Sequence, residues 1–176
     1  MKKVEDYVRS IPDFPEKGVI FRDITTVIQD PEGFRLAINE MKDLLKGLDF
    51  DMIAGAESRG FIFGAPLAYA MGKGFVLIRK KGKLPAATIG EDYDMEYGTS
   101  TIEVHTDAIS PGNRILLIDD LIATGGTAEA AVKLIRKCGG EVVECAFLVN
   151  LPELGGNERL REIGCPTFSL CAFDGE

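Results

Sequence analysis

The sequence is poor in the residues that bind metals and staple small secreted domains. Its 176 residues include one histidine, His105, and four cysteines, Cys138, Cys145, Cys165 and Cys171, none in a C-x-x-C pair. The ligand set of a structural zinc site is missing, and reduced, mostly buried thiols are expected, as in a cytoplasmic protein. Long apolar runs are absent too. The longest uncharged stretch, residues 60–72, falls well short of the roughly 20 residues a membrane-spanning helix needs. The first ten residues mix Lys2 and Lys3 with Glu5 and Asp6 and lack the apolar centre of a signal peptide, so the mature chain is expected to begin here. Positive charge is in deficit: a formal net charge of −8 without a basic tail argues against nucleic acid as a partner. The few clustered bases need a smaller anion. Internal repeats and low-complexity tracts are missing as well.

What is present suits one domain over residues 1–176: 45% apolar and 27% charged residues, as in ordinary globular chains. Asp30-Pro31 opens a helix on which Phe34, Ile38, Met41 and Leu45 recur at helical spacing. Apolar runs at 50–54, 75–78, 115–118 and 142–149 alternate with helical patterns at 61–71 and 127–138. Strands that are apolar throughout and alternate with helices predict an α/β fold, an open, mainly parallel sheet with helices on both faces. Two regions stand outside that pattern. Residues 1–30 read as a short helix over 4–11, a Pro- and Gly-punctuated stretch over 12–18 and an accessory flap. Residues 80–100 carry Gly82, Pro85, Gly90 and Gly98 among charges and read as a long flexible lid loop.

The strongest chemical signal is a buried strand running into Asp119-Asp120, then Leu121-Ile122, then Ala123-Thr124-Gly125-Gly126-Thr127 and a helix. Ligands of open α/β sheets bind at the carboxyl ends of strands. A glycine turn at a helix N-terminus there offers unpaired N–H groups and a positive dipole end to an anion. The turn is thus a candidate phosphate cradle, with Thr124 and Thr127 hydroxyls as donors. Two adjacent carboxylates before it repel an anion unless they meet diol hydroxyls or a metal, and a sugar phosphate satisfies both features at once. Other phosphate loops fit less well. No G-x-G-x-x-G occurs, and Gly55 to Gly60 has Walker A spacing but continues Phe61-Ile62 where Lys and Ser or Thr belong.

The string Asp119 to Thr127 resembles the signature of the type I phosphoribosyltransferases, which bind 5-phosphoribosyl 1-pyrophosphate (PRPP). The resemblance extends to the members that accept adenine, through Phe14-Pro-Glu-Lys-Gly-Val-Ile-Phe-Arg-Asp-Ile24, Glu57-Ser-Arg-Gly-Phe61, Arg79-Lys-Lys-Gly-Lys-Leu-Pro85 and Tyr93-Asp-Met-Glu-Tyr-Gly98. These motifs run in order over nearly the whole chain.

It implies purine salvage: adenine and PRPP give AMP and pyrophosphate, with Mg²⁺ bound through PRPP and water and with no direct protein ligand. Ala123, Thr124, Gly125, Gly126 and Thr127 would hold the 5-phosphate, and Asp119 and Asp120 the ribose hydroxyls. Ser58, Arg59, Arg79, Lys80 and Lys83 would reach the pyrophosphate, in part across a homodimer interface. Backbone at Ile20 and Arg22 would read the adenine edge, Phe21 and Leu151 would sandwich the ring, and Glu96 on the lid would act as general acid or base. Glu57 adds a negative charge beside this anion site, so Ser58 and Arg59 carry that assignment. Ala86-Ala87 stands where family members commonly have polar or charged residues, and His105 reads as structural. Two alternatives stay open: a phosphoribosyltransferase for another base such as xanthine, and a non-catalytic PRPP-sensing regulatory protein. Such regulators normally append a basic DNA-binding domain, for which this chain has neither length nor charge.

Overall fold

A computed structural model describes residues 1–95 and 97–175. The sheet core is built as expected. β3 (Met52–Ala56), β4 (Gly74–Lys80), β7 (Arg114–Ile122), β8 (Glu141–Asn150) and β9 (Thr167–Ala172) pair in parallel in the order β4-β3-β7-β8-β9. Their interior residues, such as Ile53, Ile78, Leu116, Leu117 and Phe147, are almost wholly buried because helices cover both faces. On one face lie α2 (Pro31–Leu44) and α3 (Arg59–Met71), packed over Ile53, Leu116, Ile118 and Leu148. On the other lie α4 (Gly126–Lys137) and α5 (Gly156–Glu162), packed over Ile115, Leu117, Cys145 and Phe147.

Local chemistry sets these elements. An Asp30 Oδ1 atom accepts the N–H groups of Glu32 and Gly33 (2.9 and 3.1 Å), and Pro31 opens α2 where no N–H is needed. Met41 and Leu45 from the predicted stripe are buried with Ala37, whereas Phe34 and Ile38 are only partly covered. Gly64 lets α3 sit tight on the sheet, since a side chain there would run into Phe75 and Ile118.

Three expectations need correction. The helix over 4–11 is a single 3-10 turn, Val4–Tyr7, followed by β1 (Arg9–Pro12), which pairs antiparallel with β2 (Ile20–Asp23). Alternating contacts across that hairpin outweigh local helix propensity. The flap is this two-stranded unit, joined to α2 by the short α1 (Thr25–Ile28).

Residues 80–100 are not a structureless loop either. β5 (Thr88–Asp94) and β6 (Thr99–His105) form an antiparallel hairpin that extends the sheet beyond β4 in the order β5-β6-β4. In β6 Glu103 lies between Ile102 and Val104 at period two, so that pair is buried, while Ile89, Glu91 and Tyr93 of β5 share the face that packs toward α4. Lys137 of α4 ties the hairpin down through the Gly90 carbonyl (2.8 Å) and the Glu91 carboxylate. Finally, no element is expected from the sequence beyond residue 149, yet β9 completes the sheet there and α5 covers it.

Candidate active site

β7 runs further than its apolar core suggests. It carries both aspartates as strand residues and ends at Ile122, so the cradle begins at the sheet's carboxyl edge. Residues 123–125 turn the chain, and α4 starts at Gly126. Gly125 takes φ +85°, a left-handed conformation that glycine adopts without cost, and aims the first N–H groups of α4 into the cleft. A cavity of 210 Å³ is lined by Arg59 and by residues 119–128 without interruption. Every residue assigned to phosphate binding lies on its wall.

Asp120 is buried (5% exposed), and its Oδ2 takes the Arg59 Nε–H at 2.5 Å. The adjacent Asp120 charge raises the Arg59 pKa further, so the guanidinium is cationic at any working pH. Asp119 accepts the Asp120 N–H at 2.8 Å. Burial, with the Asp120 charge adding to it, pushes the Asp119 carboxyl well above the ordinary carboxylate range. An arriving cation would lower it again. Gly60 allows α3 this close: a Cβ on it would meet Asp119 Oδ1 and the Ile118 carbonyl, both at 3.1 Å.

A second cavity, of 350 Å³, also borders Asp119. Ser58, Arg59, Lys80, Asp119, Asp120 and Thr127 line it, joined by Glu57 and by Tyr93 of the hairpin. Here the sequence assignments divide. Ser58, Arg59 and Lys80 converge, whereas Arg79 faces Glu57 (3.4 Å), an ion pair without hydrogen-bond alignment, and Lys83 stands exposed and lines none of these cavities. Glu57 also accepts the Lys80 N–H at 2.6 Å. Its charge is therefore turned toward the start of the basic loop and partly neutralised, which answers the conflict its position raised.

A third cavity, of 300 Å³, is mostly apolar and is lined by residues 19–25 of the flap with Arg59, Asp120, Leu121 and Leu151. Ile20, Phe21, Arg22 and Leu151 thus meet in one chamber. Phe14 packs edge-on against Phe21, with ring centroids 5.1 Å apart. The Arg22 side chain is spent elsewhere, on Ser10 Oγ (2.5 Å), the Asp174 carbonyl (3.1 Å) and the face of Phe173, latching the flap to the C-terminal segment. Asp23 anchors the flap base: one oxygen accepts the Thr25 N–H and hydroxyl (2.9 and 2.7 Å), and the other takes Arg9 at 2.5 Å.

Arg59 and Asp120 border all three cavities. Glu96, assigned to proton transfer, lies outside the described residues. His105 accepts the Ala86 N–H (3.3 Å), and lines none of the three cavities. Sequence reasoning passed over Leu121, Tyr93 and Thr25 as site residues. Leu121 sits inside the signature and could have been found by strand alternation; Tyr93 needed the hairpin to be recognised.

The glycine turn, the aspartate pair and the sheet edge all fall within residues 30–169, which match the family described as phosphoribosyl transferase domain. The chain is 65% identical over 161 residues to the adenine phosphoribosyltransferase of Butyrivibrio fibrisolvens, covering 92% of this chain and 89% of that one. The crystal structure of the adenine phosphoribosyltransferase from Thermoanaerobacter pseudethanolicus matches with a TM-score of 0.92 and 47% identity, over 97% of this chain and 98% of that one. The Saccharomyces cerevisiae enzyme, complexed with an imino-altritol bisphosphate and adenine, matches with a TM-score of 0.88 and 35% identity over 95% and 96% of the two chains. The chain belongs to the adenine phosphoribosyltransferases of that family.

Proposed function

We propose that the chain transfers the 5-phosphoribosyl group of PRPP to N9 of adenine, giving AMP and pyrophosphate. The observation that carries this reading is the meeting of three cavities at the Arg59–Asp120 pair. One has the N–H groups an anion needs, one has cations, and one has an apolar slot for a flat ring. A ribose at the shared corner would reach all three with its 5-phosphate, its 1-pyrophosphate and its base. The yeast relative's complex with a sugar bisphosphate analogue and adenine supports the same division.

In the reaction the N9–C1 bond forms as the bond from C1 to pyrophosphate oxygen breaks, and the electron pair leaves with pyrophosphate. Residues 123–127 hold the 5-phosphate, and Asp119 and Asp120 accept the ribose hydroxyls, so that C1 is fixed between base and leaving group. Arg59, Ser58 and Lys80 receive the pyrophosphate charge as it develops. Phe21, Leu121 and Leu151 pack the ring. β2 is paired on one edge by β1, and its other edge supplies backbone groups at Ile20 and Arg22 for the adenine edge. The N9 proton passes to Glu96, a role assigned on sequence alone.

Among the described residues no three His, Cys, Asp or Glu side chains gather to hold an ion. By the family resemblance Mg²⁺ would be carried by PRPP oxygens and water, with no direct protein ligand. When bound, it neutralises charge on the leaving pyrophosphate. A homodimer belongs to the same reading: Tyr69 of α3 and Leu77 of β4 are exposed and offer apolar surface to a second copy, which sedimentation velocity would test. A cytoplasmic setting accords with four free cysteines.

The decisive assay measures turnover of adenine, hypoxanthine, guanine, xanthine and orotate with PRPP, with and without Mg²⁺. Adenine is expected to lead the panel and to need the cation. Equal or better turnover of another base would overturn the assignment.

A further inference from the structure

The turn that carries the cradle rests on a second glycine turn that the signature does not include. Gly155 and Gly156 open α5 directly against it, and the Gly156 N–H donates to the Ala123 carbonyl at 3.0 Å. There is no space between the two backbones. A Cβ on Gly156 would lie 2.5 Å from that carbonyl oxygen and 2.6 Å from Ile122 Cγ1, and a Cβ on Gly125 would lie 2.9 Å from Gly156 Cα.

The other end of the cradle is held from the same helix. Arg159 Nη1 lies 3.6 Å from where a Gly126 side chain would begin. Its guanidinium is ion-paired with Glu129, in the first turn of α4, and the other Glu129 oxygen takes Lys133 Nζ at 2.9 Å. Glu129 is mostly buried, so the pair fixes the start of α4 against α5. An anion site made of backbone N–H groups works only when those groups are aligned to within about half an ångström. Within α4 the Gly125 carbonyl is held by the Glu129 N–H at 2.9 Å, whereas the Ala123 carbonyl is held from α5.

We propose that Gly156 and Arg159 are positioning residues for the donor's 5-phosphate: Gly156 sets the height of the cradle at Ala123, and Arg159, through Glu129, sets it at Gly126. Neither touches the reacting atoms. The proposal rests on the reading of residues 123–127 as the 5-phosphate site.

The test is a set of folded variants measured by steady-state kinetics, with PRPP and adenine varied separately, and by calorimetric binding of AMP. Gly156→Ala should raise the KM for PRPP and the Kd for AMP at least tenfold, with the KM for adenine and kcat changed less than threefold. Arg159→Gln should weaken the same two constants three- to tenfold, and Arg159→Lys, which keeps a cation on Glu129, should restore them to within twofold. A role confined to stability would lower Tm without this split. Thr127→Val separates the two levels of argument. If it weakens PRPP and AMP while folded Gly156→Ala leaves both within twofold of the parent, the positioning role is refuted; if Thr127→Val also changes neither, the cradle reading itself is at fault. Should Gly156→Ala fail to fold, the Arg159 pair of variants decides by the same criteria.

Discussion

The cradle and the base chamber share one wall, Arg59, Asp120 and Leu121, but are built in opposite ways. Apart from Arg59, the cradle takes its wall from a single run, residues 119–128, and presents backbone N–H groups at a helix start. The base chamber is assembled from the flap, Leu121 at the end of β7, and Leu151 beyond β8, and offers apolar surface with few polar atoms. An anion site can be written locally, because consecutive N–H groups at a helix start already converge. A slot for a flat ring cannot. It needs two apolar walls, and those come from different parts of the chain.

The shared wall gives the largest expected effect. Arg59→Gln removes the cation that both chambers border and leaves Asp120 buried without its partner. Charge-assisted contacts are worth about 1.5–3 kcal/mol each, so kcat/KM should fall roughly 100-fold. The comparison is sharpened by which constant moves: KM values for PRPP and adenine should both rise. A rise confined to PRPP would mean that the chambers function independently. Phe21→Ala should act on one side only. Base–aromatic stacking is worth about 1–3 kcal/mol, so the KM for adenine should rise about tenfold while that for PRPP stays within twofold. An equal rise in both would break the division of labour.

The same contrast explains how much of the molecule was legible in its sequence. The five parallel strands divide between four that were foreseen and one, β9, that was not, because polar Thr167 and Ser169 interrupt its apolar pattern at the sheet edge. β1 was misread as helix since Val4 to Ile11 satisfies a helical spacing and only the partner strand β2, with Arg9 opposite Asp23, reveals the pairing. The hairpin of β5 and β6 was hidden by Asp92, Asp94 and Glu103 on its outer face and by Glu91 on the face toward α4, where it meets Lys137. In the site, residues 119–127 were evident from local chemistry, whereas Ile20 and Phe21 by themselves read as core residues and, with Leu151, were picked out by family resemblance. Arg79 could not be told from Lys80 by sequence: Glu57, 22 positions earlier, draws the Arg79 side chain aside while Lys80 stays on the cavity wall.

The base chamber depends on the flap, and the flap depends on Asp23, whose effect is the smallest and the most sensitive to pH. Its carboxylate is buried at 6% exposure and is held below the ordinary aspartate range, chiefly by the Thr25 hydroxyl and further by the Thr25 N–H and Arg9. Because the folded-state value is depressed, the carboxylate stabilises the flap above about pH 4 and loses that contribution as pH falls through the depressed value. Arg9 is 57% exposed, so solvent screens its share. The whole group should contribute about 1 kcal/mol rather than the several expected of a fully buried pair. Asp23→Asn should lower stability by about that amount at pH 7, in urea unfolding and in amide exchange of β1 and β2, and the gap between variant and parent should close below pH 4. A gap that stayed constant from pH 7 to pH 2.5 would mean that the shape of the Asp23 side chain, and not its charge, holds the flap over the base chamber.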